Sequence, residues 1–289
     1  MAGVTHALFV YGADSLPDHA DLMTELRLGD GPAAELGPYA RRYAMTPSAP
    51  LSAFRSRVRE AFADRGLAAI VRPLEALRPP RLLVFDMDST LIRIEVIDEL
   101  ARLHGIADEV AAITRRAMNG ELDFEGSLRA RVALLAGVAL EDALGLADAL
   151  PIQAGAERRL AALRPHGTRT AVFSGGFTFA AERLKERLGL DAAEANVLEA
   201  RDGALTGEVV GEVVTPERKA RLLAAFRDAH GLAAEDVVAV GDGANDALML
   251  AAAGFGVAFH AKPYLAERAD GCVSRGGLDR LLPLFGLDL

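Results

Sequence analysis

A short apolar strand that ends in paired carboxylates constrains the fold of this chain more than any other feature. The apolar residues Leu82–Phe85 suffice for one buried strand, and Asp86-Met87-Asp88-Ser89-Thr90 follows directly. Charge at the end of a core strand is costly unless it serves a site, and open α/β sheets bind ligands at the carboxyl ends of their strands. An ordinary Asx or Ser/Thr turn would need only one polar residue. The pattern favours a phosphoryl-transfer site in which the carboxylates hold Mg²⁺.

Composition indicates a globular chain and argues against several kinds of partner. The chain has 289 residues, of which 51% are hydrophobic, so a folded core is expected. No apolar run reaches the roughly 18 residues of a membrane span, and residues 1–6 lack the basic segment of a secretory signal. The net charge of −9, without a basic cluster, argues against nucleic acid. The single cysteine, Cys272, excludes an intramolecular disulfide and a multi-cysteine zinc site. We therefore expect a cytoplasmic protein.

The first part of the chain has the pattern of a small accessory domain. Residues 1–78 are predicted to be an α+β unit, with strands at 7–11 and 67–71, a helix at 51–62 and a Gly/Pro-rich loop at 29–38. No catalytic spacing occurs in this unit. A role as a scaffold or homo-oligomerisation module is therefore favoured over a ligand sensor.

The rest of the chain is predicted to form a catalytic core with an inserted cap. Residues 94–150 repeat apolar positions at i, i+4 and i+7, which predicts a helical cap over the sheet edge. Residues 79–93 and 151–289 alternate strands and helices, which predicts an α/β core with a doubly wound parallel sheet of the Rossmann type. The polar stretch at 200–211 is typical of a hairpin.

Two further elements are candidates for binding phosphate. A second predicted strand ends at Ser174, and Gly175 and Gly176 follow it, so a hydroxyl and exposed backbone amides could accept phosphate oxygens. An ordinary strand-to-helix turn explains this motif nearly as well. Lys219 lies on the apolar face of a predicted helix that begins at Pro216, so its ammonium group needs a phosphate or aspartate partner unless it extends to the surface.

A third strand end supplies more acidic residues. Asp242, Asn245 and Asp246 follow the predicted strand at 237–241. One aspartate could cap the next helix, but two aspartates and an asparagine within five residues exceed what capping requires. Together with the carboxylates at 86 and 88, they predict a cation pocket.

The order of these motifs resembles the haloacid dehalogenase-like phosphatase superfamily. Four stretches narrow the resemblance to the phosphoserine phosphatase family: Asp86-Met87-Asp88-Ser89-Thr90 with Glu95, Phe124-Glu125-Gly126-Ser127-Leu128-Arg129-Ala130-Arg131, Ser174-Gly175-Gly176-Phe177, and Gly241-Asp242-Gly243-Ala244-Asn245-Asp246. The resemblance covers about residues 80–285 and does not extend to residues 1–78.

This resemblance implies a role for each motif residue. Asp86 would be the nucleophile and Asp88 the general acid and base. The implied Mg²⁺ ligands are Asp86, Asp242 and the main-chain carbonyl of Asp88, with Asp246 in support. The implied substrate-binding residues are Glu95, Met118, Phe124, Arg131, Ser174, Gly175, Lys219 and Asn245.

The implied reaction is Mg²⁺-dependent hydrolysis of O-phospho-L-serine, the last step of serine biosynthesis, through an aspartyl-phosphate. Glu95 would bind the ammonium group of the substrate, because a glutamate side chain pairs with an amine. Arg131 would bind the substrate carboxylate, because a guanidinium can donate two parallel hydrogen bonds to it. Without the resemblance, both residues would be interpreted as surface charges. Two alternatives stay open: transfer of the phosphoryl group to another alcohol such as homoserine, and a regulatory binding role through residues 1–78.

Overall fold

The computed structural model describes residues 4–13, 15–28, 34–48 and 50–287. The strands in this part of the chain are β1 His6–Tyr11, β2 Ala34–Glu35, β3 Ala40–Met45, β4 Ala68–Pro73, β5 Leu82–Phe85, β6 Arg169–Phe177, β7 Ala192–Arg201, β8 Ala204–Val210, β9 Val237–Gly241, β10 Phe255–Phe259 and β11 Gly271–Val273. The helices are α1 Ala20–Glu25, α2 Leu51–Ala63, α3 Val96–Leu103, α4 Ala107–Met118, α5 Phe124–Ala133, α6 Leu140–Asp148, α7 Ala156–Leu163, α8 Thr178–Leu188, α9 Pro216–Ala229, α10 Ala247–Ala252 and α11 Pro263–Arg268.

A seven-stranded sheet with the order β11-β10-β9-β5-β6-β7-β8 forms the centre of the molecule. All neighbouring strands are parallel except β7 and β8. Every residue of β5, β9 and β10 is buried, as expected for parallel strands covered on both faces. Because β5 lies between β6 and β9, the residues that follow these three strands meet at one sheet edge. The predicted α/β fold with a mostly parallel sheet is confirmed.

A hairpin extends the sheet at its far edge, as predicted. Asp202 and Gly203 connect β7 to β8 with φ values of 52° and 80°. Two consecutive positive φ angles are typical of the tight turns that match the twist of paired strands. The register between the two strands shifts between Leu198 and Ala200.

Four helices, α3 to α6, follow β5, and a fifth helix, α7, then leads into β6. The predicted helical pattern of this segment is confirmed. Helix α5 contacts β8 and helix α6 contacts α8, so the helical segment is anchored on the β6–β8 side of the sheet. No helix in the described ranges combines the length and the apolar character needed to cross a bilayer.

The first strands form a separate antiparallel sheet with the order β2-β3-β1-β4. Along β1 the side chains alternate between two cores: Leu8 and Val10 pack with helix α2, whereas Phe9 and Tyr11 join the core of the large sheet. The expected strands and helix of this region are confirmed. The division of the chain into residues 1–78, a core and a cap stays a prediction.

One expectation about this region is wrong in part. The predicted loop at 29–38 contains strand β2, because Ala34 and Glu35 pair with Arg42 and Arg41 of β3. Pairing at the edge of a sheet overrides the weak local preference of this stretch. Residues 29–33 lie outside the described residues.

Candidate active site

A cavity of about 280 Å³ lies between the carboxyl edge of the large sheet and the helical segment. Groups from both sides line it. They are Asp86, Asp88, Glu95, Ile97, Asp98, Thr114, Phe124, Leu128, Arg131, Ser174, Gly175, Gly176, Phe177, Asp242, Gly243, Asn245 and Lys262. The three strand ends singled out in the sequence therefore converge on one concave site.

A buried lysine joins two of the carboxylates. Lys219 is fully buried, and its Nζ donates to Asp86 Oδ1 at 2.6 Å and to Asp246 Oδ1 at 2.7 Å. Burial by itself would lower the pKa of Lys219, but the carboxylates of Asp246 and Asp86 outweigh it and raise the pKa above its ordinary value. The lysine is therefore charged, and it does not extend to the surface.

Helix α9 positions this lysine. Pro216 occupies the first turn, and the Thr215 side chain accepts a hydrogen bond from the Arg218 amide, so the helix start is fixed. Lys219 is one turn into the helix and on the same face as Leu223, which is also fully buried. The helical phase predicted from the apolar stripe is thus the phase that the structure adopts.

Asp246 is held by four protein atoms. Its Oδ1 accepts from Lys219 Nζ and its Oδ2 accepts from the amides of Asp242 and Gly243, both at 3.1 Å. The Asn245 side chain lies 3.5 Å from Oδ1 as well. Burial, followed by the charge of Asp86, raises the pKa of Asp246 to about 6. This carboxylate organises the loop after β9 and orients the lysine.

The geometry fits a divalent cation. Asp86, Asp242 and Asp246 are buried, and each offers an oxygen within 4.8 Å of the others. Burial, then the charges of Asp86 and Asp246, raises the pKa of Asp242 to about 8. No group in the described residues hydrogen-bonds the Asp242 side chain. Because the oxygens of Asp246 are already occupied, Asp86 and Asp242 are the carboxylates that are available to a cation, and hard oxygen donors suit one.

Asp88 has the environment of a proton donor. Its Oδ1 accepts from the Val96 amide at 3.0 Å, which ties it to the start of α3. Burial, then the charges of Glu95 and Asp86, raises the pKa of Asp88 well above its usual range. Gly176 allows this position, because a Cβ there would lie 2.5 Å from Asp88 Oδ2. A raised pKa favours the protonated form of this carboxyl, and a proton donor beside a carboxylate nucleophile suits acid catalysis.

The last residues of β6, from Ser174 to Phe177, present a hydroxyl to the cavity where the register with β7 shifts, and we call this irregular segment the Ser174 turn. Ser174 is buried, and its Oγ accepts from the Gly176 amide at 2.9 Å. A Cβ on Gly175 would lie 2.8 Å from Phe124 Cζ, so the helical segment closely approaches this turn. The glycine pair thus lets the backbone fit between Asp88 and the phenyl ring.

The helical side of the cavity carries the two residues predicted to bind an amino acid. Glu95 accepts a hydrogen bond from Ser89 Oγ at 2.9 Å, and desolvation within the cavity raises its pKa. The Nε of Arg131 donates to the Ser127 carbonyl oxygen at 3.3 Å, and burial lowers its pKa. The structure therefore places the positive Arg131 of α5 and the negative Glu95, directly before α3, on the helical wall of the cavity.

One predicted residue lies elsewhere. Met118 is 81% exposed at the end of α4 and does not line the cavity. Thr114, one turn earlier on the same helix, lines it instead. The prediction that Met118 walls the pocket is not met in this structure. Met118 is the last residue of α4, and its side chain lies in solvent.

Asn196 and Lys262 are among the residues at the site that were absent from the sequence prediction. The Asn196 side chain contacts the Gly175-Gly176 turn from β7, and nothing in its local sequence signals this. Lys262 lines the cavity, and its amide donates to the Asp242 carbonyl oxygen at 3.1 Å. The rarity of lysine could have drawn attention to it, because Lys185, Lys219 and Lys262 are the only lysines among the 32 lysine and arginine residues of the chain.

Comparisons with known proteins agree with this geometry. Residues 80–254 match the family described as haloacid dehalogenase-like hydrolase. A phosphoserine phosphatase of Archaeoglobus fulgidus is 44% identical over 234 residues, which are 81% of this chain and 68% of the relative. The match to this chain covers between 51% and 96% of the length of such relatives.

Solved structures extend the similarity to the whole fold. A haloacid dehalogenase family hydrolase from Salmonella enterica has a TM-score of 0.88 at 30% identity and covers 99% of this chain and 100% of its own. A structure described as the phospho-aspartyl intermediate analogue of phosphoserine phosphatase has a TM-score of 0.67 at 45% identity, over 71% of this chain and 99% of its own. The first of these also covers the antiparallel sheet.

Proposed function

Because the chain belongs to the haloacid dehalogenase-like hydrolases and, among them, to the phosphoserine phosphatases, we propose that it hydrolyses O-phospho-L-serine to L-serine and phosphate with Asp86 as the nucleophile. One observation carries the assignment of roles: a carboxylate held by the buried Lys219 lies beside Asp88, whose pKa is raised well above its usual range. Nucleophile and acid are thereby distinguished by their surroundings.

In the first half-reaction, an oxygen of Asp86 attacks phosphorus and the bond between phosphorus and the serine oxygen breaks. The Asp88 carboxyl gives its proton to that oxygen as it leaves. The product is an aspartyl-phosphate on Asp86 and free serine. The Lys219 ammonium holds the other side of the nucleophilic carboxylate in place.

In the second half-reaction, the Asp88 carboxylate takes a proton from water as the water oxygen attacks phosphorus. The bond between phosphorus and Asp86 breaks, which releases phosphate and restores both carboxyl groups to their starting states. Helices α4 and α5 roof the cavity and restrict the access of competing solvent.

Metal-dependent catalysis is general in this class of phosphatase, and the acidic cluster suits it. We propose Mg²⁺ at Asp86, Asp242 and the main-chain carbonyl of Asp88, where it would offset the repulsion between the nucleophile and the phosphate anion. Ser174, the Gly175 amide and Lys219 would stabilise the oxygens of the phosphoryl group. Asn245 lines the same part of the cavity.

The opposite wall would recognise the amino acid. Arg131 would pair with the substrate carboxylate and Glu95 with the ammonium group, while the Phe124 ring packs against the turn at Gly175. A zwitterionic end group matches this pair of opposite charges better than a sugar does. We also propose that the reaction serves serine biosynthesis in the cytoplasm.

A substrate panel tests the proposal directly. Phosphate release would be measured with Mg²⁺ for O-phospho-L-serine, O-phospho-L-threonine, p-nitrophenyl phosphate and a hexose phosphate, with D86N as the blank. The expected result is the highest kcat/KM for O-phospho-L-serine. Equal or better turnover of the hexose phosphate would contradict the substrate assignment, and turnover by D86N would contradict the nucleophile.

A further inference from the structure

Asn196 connects two parts of the site that are far apart in sequence. It is 1% exposed, and its Nδ2 donates to the carbonyl oxygens of Gly175 at 2.8 Å and Gly176 at 3.2 Å. Its Oδ1 accepts from the Val214 amide at 2.8 Å. The side chain is thus fully hydrogen-bonded, and all of its partners are backbone groups.

The backbone that it holds contains two consecutive glycines. Gly175 and Gly176 have no side chains to restrict the rotation of their peptide groups. If one of these peptide groups rotated, a carbonyl oxygen would take the place of an N–H group. A carbonyl oxygen in that place would repel a phosphate anion. Since both carbonyl oxygens accept from Asn196, they point toward β7 and the adjoining N–H groups point the other way.

The orientation of one of these peptides determines what Ser174 can do. The Gly175 carbonyl oxygen accepts a hydrogen bond from Asn196. The N–H of the same peptide group is that of Gly176, and it donates to Ser174 Oγ at 2.9 Å. An oxygen that accepts this bond keeps its own hydrogen free to donate. The hydroxyl is therefore prepared as a donor to a phosphoryl oxygen.

The second link leads to the lysine. Val214 is fully buried and lies directly before Thr215, the residue that caps helix α9. Lys219 is on the first turns of that helix. Asn196 therefore connects the Ser174 turn to the segment that positions the Lys219 ammonium group. Its side chain alone thus positions both Ser174 and Lys219, the two groups proposed to contact the phosphoryl oxygens.

We propose that Asn196 is a positioning residue for phosphoryl transfer, which orients the Ser174-Gly175-Gly176 turn and aligns it with the start of helix α9. This inference rests on the proposed function, and it predicts an effect on every phosphomonoester rather than on phosphoserine alone. A residue that only filled a buried bulge between β6 and β7 would affect stability and little else.

The test compares N196D and N196L with T168V. Replacement of Asn196 by aspartate keeps the shape and the acceptor for the Val214 amide but loses both donated hydrogen bonds, whereas leucine loses all three. Thr168 is a buried control far from the site: it lies directly before the first residue of β6, and its Oγ1 donates to the Pro80 carbonyl oxygen at 2.6 Å. Each variant is assayed below its own melting transition, with O-phospho-L-serine and with p-nitrophenyl phosphate.

We expect kcat/KM of N196D to fall about 10- to 100-fold on both substrates. This is less than the roughly 10²- to 10³-fold loss from removing a direct donor to an oxyanion, because Asn196 acts through the backbone that it holds. Inhibition by inorganic phosphate should weaken in parallel, whereas T168V should stay within about twofold of the wild type. As pH falls, the activity of N196D relative to the wild type should rise, because a protonated carboxyl can donate to a carbonyl. N196L should show no such rise.

Three results would overturn the inference: kinetic losses no greater than those of T168V, a loss confined to phosphoserine, or unchanged phosphate inhibition in N196D. If N196L does not fold, N196D and its pH ratio decide the question alone. Failure of the wild type to hydrolyse phosphoserine would instead contradict the proposed function, and the p-nitrophenyl phosphate data would still test Asn196.

Discussion

The floor of the cavity is built differently from its roof. The floor groups are Asp86 and Ser174, which line the cavity, and the fully buried Lys219 and Asp246, which support Asp86 from behind. The roof groups are Glu95, Phe124 and Arg131. The floor groups are at most 4% exposed and hydrogen-bond to one another or to backbone amides. The roof groups are more exposed, and Glu95 and Arg131 each hydrogen-bond to a residue four to six positions away in the chain. The floor is preorganised for one kind of charge, whereas the roof can adjust to the molecule that carries it.

This difference teaches where each type of specificity resides. Buried, mutually bonded groups hold a fixed arrangement because any displacement leaves a charge without a partner. Such an arrangement suits the phosphoryl group, which is the same in every phosphomonoester. Partly solvated groups on helices suit the variable end of a substrate. The comparison predicts that floor substitutions affect all substrates and roof substitutions affect only some.

The largest effect is expected from D86N. Turnover should fall by at least roughly 10³-fold on phosphoserine and p-nitrophenyl phosphate alike, because an amide oxygen is a poor nucleophile. The fold should persist, since the amide is nearly isosteric and can still accept from Lys219. Steady-state rates and a thermal melt check this, and retention of near-normal activity would refute the assignment of the nucleophile.

Removal of the metal should have the next largest effect. Activity should be lost in EDTA, return with Mg²⁺ and return poorly with Ca²⁺, which prefers more ligands at longer distances. D242N should be inactive under all of these conditions. D202N, on the exposed hairpin turn, is the matched control and should behave as the wild type. Full activity without metal would contradict the role of Asp242.

The same aspartate predicts a pH dependence of stability. In the metal-free protein the pKa of Asp242 is about 8, against 3.8 as its ordinary value. Between these pH values the folded state holds a proton that the unfolded state has lost, so the free energy of unfolding falls as pH rises across the window. Mg²⁺ binds the ionised form, so it should raise the melting temperature more at pH 8 than at pH 6. A shift of the same size at both pH values, or one that persists in D242N, would count against this site.

Roof substitutions should separate the two substrates. R131A and E95Q should raise KM for phosphoserine about 10- to 100-fold, which corresponds to the loss of one charged hydrogen bond of about 1.5–3 kcal/mol. Rates on p-nitrophenyl phosphate, which lacks the amino-acid end, should change little. R129A is the control on the same helix, because Arg129 pairs with Glu125. Equal losses on both substrates would show that these residues support the helices rather than the substrate.

A smaller effect is expected from K262M. Lys262 directly precedes α11, in the segment that follows β10, on the side of Asp242 that faces away from Ser174. Its charge opposes the rise in the pKa values of Asp242 and Glu95. Its loss should reduce kcat/KM by about fivefold at low ionic strength and less at high salt, as for a cation that attracts an anionic substrate. K185M, at an exposed ion pair, should leave the rate unchanged. A salt-independent loss would indicate direct contact with the substrate.

The smallest effect is expected from M118A. With 81% of the residue exposed and Thr114 lining the cavity in its place, KM for phosphoserine should stay within about twofold of the wild type. A larger increase would show that the roof moves during turnover and brings the end of α4 over the substrate. Either result sharpens the contrast between a fixed floor and an adjustable roof.

Local pattern determined the floor of this site in advance. Apolar runs of strand length identified β5, β6 and β9, and polar residues directly after them had to meet because parallel neighbours end at one sheet edge. The helical phase of Lys219 followed from its apolar neighbours in the same way. The family resemblance then implied roles that spacing does not contain, such as the proposed binding of the substrate's amino-acid end by Glu95 and Arg131.

Only the tertiary structure decided how those residues are held. Asn196 reaches the Ser174 turn because β7 pairs beside β6, and Lys262 reaches the cavity because β10 lies next to β9. Whether Met118 faces the cavity or solvent likewise depends on where α4 ends relative to the sheet. These contacts join residues 20 or more positions apart, so no local period or propensity encodes them. They follow from strand order, which is set when the whole core packs.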